Sequence, residues 1–215
     1  MELYYYTTGV KVIVTCLLRC CAGTFEERDS AEKLLAGNKK PLAVDLPALL
    51  LLHGLEQADI VVKTYGKLNI TQSTKDDLIQ VITEREGFAA EGHMTMGKDD
   101  KGYIRQEISR EQITKNTSFL KGILEWTKKN CIVIPCKEAL SFTDKKQKRF
   151  FDILGKSSLE TVLIAKQEQT LILTDDFVLR MVAKNDFNVD GVWTQVLLKK
   201  VFENGILKKR YMTSV

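Results

Sequence analysis

Short apolar runs alternate with amphipathic stretches through most of the chain. Leu42-Ala43-Val44 is wholly apolar and ends on Asp45; Leu171-Ile172-Leu173-Thr174 ends on Asp175-Asp176. A run this short, followed by a helical pattern, predicts a buried strand of a parallel sheet. Further runs at 68–71, 131–135 and 189–193 predict three more strands. Helices fill the gaps. Pro47 suits a first helical turn, so a Leu-rich helix is expected over Ala48 to Gln57. Ser73 or Thr74 can cap the next, whose apolar face is Leu78, Ile79, Val81 and Ile82. Others are expected at 111–129, 143–154, 158–168, 177–184 and 194–203, the last stopped by Gly205. Strands alternating with helices give an α/β fold with helices on both faces of a central parallel sheet.

Two regions break the rhythm. Residues 87–108 read as an insert carrying a polar hairpin, His93 to Gly97 and Tyr103 to Ile108, with its turn in Lys98-Asp99-Asp100-Lys101-Gly102. Residues 1–40 read as an amino-terminal extension of uncertain role, and 41–215 as the folded domain. Within the extension, Leu3 to Tyr6 and Val10 to Val14 suit strands, and Glu26 to Leu35 suits a helix stopped by Gly37-Asn38.

Composition narrows the class. With 215 residues and 44% hydrophobic content, the chain can fill one sizeable core, yet it holds no uninterrupted apolar span of about 18 residues, so no membrane helix is expected. Arg19 interrupts the apolar run Val12 to Leu18, which fits a signal peptide poorly. Five cysteines, Cys16, Cys20, Cys21, Cys131 and Cys136, are an odd number without zinc-finger spacing; buried thiols in a reducing cytoplasm are the expectation. The net charge of +4 describes a slightly basic surface. Two basic clusters stand out, Lys145, Lys146, Lys148, Arg149 and Lys199, Lys200, Lys208, Lys209, Arg210. Such runs are usually solvated helix faces; they matter for a polyanion only where they flank an acidic site.

The acids carry the chemistry. In parallel sheets ligands bind beyond the carboxyl ends of the strands. Asp45 and Asp175-Asp176 end two strands, Asp77 lies in the first turns of a helix, and Glu160 flanks the stripe Leu159, Val162, Leu163. Singly, an Asp at a helix start is a cap or a dipole partner. Together these acids repel one another unless a cation sits among them. His53, in a Leu-rich helix, reads as a packed histidine, and His93 as an exposed hairpin residue. Trp126 and Trp193 read as core anchors.

The segments Leu42-Ala-Val-Asp45-Leu-Pro-Ala-Leu-Leu, Ile70-Thr-Gln-Ser-Thr-Lys-Asp-Asp77-Leu78, Leu159-Glu160-Thr-Val-Leu-Ile-Ala165 and Leu171-Ile-Leu-Thr174-Asp175-Asp176 resemble, in order and placement, a PIN domain of bacterial type. The resemblance covers roughly residues 41–204 and includes Gly191-Val-Trp-Thr-Gln. It implies a PIN-like three-layer α/β/α fold and a metal-dependent nuclease. The family's four acids fall on Asp45, Asp77, Glu160 and Asp176, implied to be catalytic. Asp45, Glu160, Asp176 and the neighbouring Asp175 are the implied ligands of Mg²⁺ or Mn²⁺, hard ions that prefer oxygen. The implied substrate is single-stranded RNA, and a homodimer or an inhibitor protein is an implied partner.

Three departures from the family pattern set up an alternative. Asp77 stands where Glu is usual, Glu160 where Asp is usual, and Leu46-Pro47 where a small hydroxyl residue often follows the first acid. The alternative is a catalytically weak or inactive PIN-like module that binds nucleic acid or protein. A phosphoacceptor domain is a third reading, but no strand-end Lys accompanies the acids.

Overall fold

The computed structural model describes residues 23–38, 40–91, 93–99, 102–137 and 145–203. The strands expected at 3–6 and 10–14, Cys16, Cys20, Cys21, Gly205 and the tail cations Lys208, Lys209 and Arg210 lie outside the described residues.

In chain order the elements are α1 (Phe25–Gly37), β1 (Ala43–Val44), α2 (Leu46–Gly54), α3 (Ala58–Tyr65), β2 (Leu68–Ile70), α4 (Gln72–Glu91), β3 (His93–Asp99), β4 (Gly102–Ile108), α5 (Arg110–Asn130), β5 (Cys131–Val133), α6 (Lys145–Leu154), α7 (Lys156–Gln167), β6 (Ile172–Leu173), α8 (Phe177–Phe187), β7 (Gly191–Val192) and α9 (Thr194–Glu203). Five strands form one parallel sheet in the order β5-β2-β1-β6-β7.

The period-two alternation of the strands builds the three α/β/α layers. Leu42, Val44, Leu68, Ile70, Leu171, Leu173 and Val192 face one core, filled by α1 to α5 and α9. Ala43 and Ile172 face the other, filled by Val162, Ile164 and Ala165 of α7 and by Leu179 and Ala183 of α8. Because both faces of the central strands are covered, β1 and β6 are apolar throughout; β2 carries the buried Asn69, and edge strand β5 exposes Ile132 and Val133.

Local signals set most boundaries. Ser109 and Gln112 form a reciprocal cap that starts α5, and Thr24 with Glu27 does the same for α1. α1 packs on α9, where Lys199 Nζ meets Glu32 at 2.5 Å.

Three expected boundaries shift and one helix is new. The Leu-rich helix runs over 46–54 rather than 48–57, because Asp45 itself caps it. A further helix, α3, follows a turn at Glu56, whose backbone is left-handed (φ 58°) without the Gly or Asn that would announce it. α4 starts one residue before Ser73 because the Thr71 hydroxyl accepts the Thr74 N–H at 2.9 Å and is the cap. The insert is shorter than 87–108, because residues 87–91 complete α4; its hairpin starts at His93 as expected, His93 pairing with Ile108 and Asp99 with Gly102. Among the described residues no helix is long and apolar enough to cross a membrane.

His53 on α2 meets Trp126 of α5 edge-to-face, centroids 4.6 Å apart, and the Trp126 indole donates to Asp59 at 2.6 Å. Trp193 is buried and Trp126 half-buried, both as anchors. Burial pushes the His53 imidazolium down to about 4, with Asp59 pulling weakly the other way. Its folded pKa therefore lies below the unfolded one, so the stability it contributes is complete above about pH 6.5 and is lost as pH falls toward 4. Urea melts across that window should show His53→Leu losing less stability on acidification than the wild type; parallel curves would contradict the assignment.

Candidate functional site

The register of β1 and β6 sets an acid beside a hydroxyl. Val44 pairs with Leu173, so Asp45 and Thr174 emerge together at the carboxyl edge of the sheet. Asp45 is buried and caps α2: Oδ1 accepts the Ala48 N–H at 2.8 Å, and Oδ2 accepts the Thr174 hydroxyl. Burial pushes its carboxyl up to about 7. The two hydrogen bonds pull against that shift, and the charges of Asp175 and Asp176 add to it.

Asp175 and Asp176 diverge although adjacent. Asp175 is buried, and both its oxygens accept from Thr194 at the start of α9, Oδ1 from the N–H at 3.1 Å and Oδ2 from the hydroxyl at 2.6 Å. Burial raises its carboxyl above the usual carboxylate range, opposed by Thr194 and by the Arg180 guanidinium. Asp176 is exposed and caps α8, its Oδ1 accepting N–H groups of Val178 at 2.7 Å and Leu179 at 3.1 Å. Thr174 joins these parts. Its hydroxyl donates to Asp45 and accepts the Asp176 N–H at 3.2 Å, and its carbonyl accepts Arg180 Nη1 at 2.9 Å.

The remaining acids hang over the same edge from helices. α7 leads into β6, so its first turn lies at the carboxyl edge; Glu160 there is buried and accepts the Ser73 hydroxyl at 2.5 Å. Ser73 belongs to the first turn of α4, which follows β2. Asp77 stands one turn further along α4, half-buried and without a hydrogen bond or ion pair among the described residues. Lys156, its side chain 71% exposed, places Nζ 3.9 Å from Glu160.

All five expected acids thus lie on elements that meet at one edge. They do not converge into one cluster: among the described residues no three Asp, Glu, His or Cys side chains form a metal-holding group. The donor chemistry nevertheless suits Mg²⁺ or Mn²⁺, since all the donors are carboxylate oxygens. Sequence reasoning missed Thr174, Ser73, Thr194, Arg180 and Lys156; a hydroxyl ending an apolar run was the one signal, and it marks Thr174. Of the basic clusters, Lys199 and Lys200 pair with Glu32 and Glu203; the side chains of Lys145, Lys146, Lys148 and Arg149 lie outside the described ones. Cys131 is buried, its thiol pushed up to about 12, and is an inert packing group.

Residues 43–185 match the family described as the PIN domain associated with the TPR-GreAB-C-PIN system. No curated protein and no solved structure matches the chain.

Proposed function

We propose a metal-dependent ribonuclease, and the premise is plain: this chain belongs to the PIN domain family. PIN domains have a nuclease-like fold, are generally nucleases and typically use Mg²⁺ or Mn²⁺. The observation that carries the reading is the juxtaposition of buried Asp45 and outward-facing Asp176 at the ends of neighbouring strands, joined through Thr174. Asp45, Asp176 and Glu160 would hold the ion. When bound, it supplies Lewis-acid activation of a phosphodiester and of the attacking water.

The chain's own residues do the rest. Thr174 fixes the Asp45 carboxylate in one rotamer, and Ser73 does so for Glu160. Asp77, half-buried and without a hydrogen bond or ion pair among the described residues, takes the proton from the attacking water as its oxygen bonds to phosphorus and the P–O bond to the leaving nucleotide breaks. Lys156 offers the substrate phosphate a positive charge beside the acids. Asp175, saturated by Thr194, holds β6 against α9 and takes no ligand role. Single-stranded RNA suits an open sheet edge of this kind, and we place the chain in the association its family description names.

A second reading, a PIN-like module that binds without cutting, is favoured by the lack of a ready three-acid cluster among the described residues. One experiment separates the two. Under the nuclease reading, the protein cleaves a single-stranded RNA in Mn²⁺, a chelator stops it, and Asp45→Asn lowers the rate at least about a hundredfold while the chain still folds. No cleavage, with RNA bound, supports the module; full cleavage by Asp45→Asn overturns the assignment of this site.

A further inference from the structure

We propose that Phe177 is a stacking platform for one nucleobase of a single-stranded substrate held at the acidic edge, an inference that rests on the ribonuclease reading. Phe177 is the first residue of α8 and directly follows Asp176, the outward-facing acid. Phe177 is 46% exposed, so a large part of its apolar surface faces solvent. The inward face of α8 is already filled by Leu179 and Ala183. Val178 at 53% and Met181 at 46% exposure extend the apolar strip away from the acid on the outer side of the same turn.

The ring is braced. Arg180, one turn on, sits with its guanidinium 5.8 Å from the Phe177 centroid and 4.7 Å from that of Trp193. It is itself fixed by donating to the Thr174 carbonyl, the same residue that holds Asp45. The platform and the acids are therefore built on one rigid corner. A cation behind an aromatic ring leaves the other side of the ring open to solvent or to a ligand.

The occupant follows from size and position. A specific protein partner needs roughly 800 Å² per side, far more than three side chains on one turn provide. A nucleobase needs one flat apolar face, and stacking tolerates any base. A nucleotide whose phosphate reaches Asp176 places its own or a neighbouring base within reach of the adjacent ring.

The test is Mn²⁺-dependent cleavage of a short single-stranded RNA, with KM and kcat separated. Phe177→Ala and Phe177→Leu should each raise KM roughly 5- to 100-fold, whereas Phe177→Tyr stays near wild type. Leucine keeps the apolar volume and lacks the flat face, so it separates stacking from packing. A scan of abasic positions in the RNA should find one that costs the wild type a similar factor and costs Phe177→Ala almost nothing. Unchanged KM in the Ala variant, wild-type behaviour of the Leu variant, or an abasic scan in which the wild type shows no sensitive position would each overturn the platform while cleavage stands. A wild type that neither binds nor cleaves RNA defeats the ribonuclease reading, and the platform falls with it.

Discussion

Arg180→Met is expected to lower folding stability by about 3 to 5 kcal/mol, the scale for a buried charge stripped of its partner. Arg180 is 9% exposed and is the cation that opposes the burial of Asp175. It also donates to the Thr174 carbonyl and lies over the Trp193 ring. Methionine retains the stem that packs against Gly191, where a Cβ would stand 3.0 Å from Arg180 Cγ, so the change isolates the head group. The Asp175 carboxylate, already raised by burial, then loses the Arg180 charge that opposes that shift and keeps its bonds from Thr194. Urea unfolding of the single variant and of Arg180→Met/Asp175→Asn tests this. The double variant should recover a large part of the loss, because it removes the stranded charge. A single-variant loss below about 1 kcal/mol, or a double variant no better than the sum of its parts, would show that the pair does not carry the corner.

The frame of the fold was legible because its signals are local. Apolar runs ending in Asp marked β1 and β6, and the reciprocal cap at Ser109 and Gln112 begins the long helix α5. α9 begins at Thr194 as its pattern predicted. α3 was not legible, because its start depends on Glu56 adopting a backbone conformation that Gly or Asn usually announces. The hairpin strands were legible, but the insert around them was set too long, because Gly87 reads as a helix stop and α4 runs through it to Glu91.

The site divides in the same way. The acids could be read because each ends a strand or opens a helix. Their supports could not, because the partners are far apart in the chain: Thr174 reaches Asp45 across 129 positions, Ser73 reaches Glu160 across 87, and Thr194 reaches Asp175 across 19. The sequence treats Asp175 and Asp176 as equivalent neighbours. Only the packing of α9 against the strand edge turns one inward to Thr194 and leaves the other to cap α8 in solvent.

Asp45→Asn should stabilise the protein at pH 8 in a chelator, by up to about 4 kcal/mol, while destroying its response to Mn²⁺. The folded Asp45 carboxyl titrates at about 7, against 3.8 for its ordinary value, because burial disfavours the charged form. A raised folded pKa means the fold binds the proton more tightly than the unfolded chain. The stability this contributes is complete below about pH 4 and is lost as pH rises to about 7. Asparagine keeps a neutral side chain at every pH. It can still accept the Ala48 N–H and meet the Thr174 hydroxyl, so wild-type stability should fall across that window while the variant stays flat by comparison. A bound divalent cation reverses the sign, since it favours the ionised carboxylate: Mn²⁺ at pH 8 should raise the wild-type melting temperature and leave the variant unmoved. Thermal melts at pH 4, 6 and 8, with chelator and with Mn²⁺, contain the whole test. A variant less stable than the wild type at pH 8 in chelator would mean that Asp45 is held as a structural cap rather than kept under charge strain for a cation.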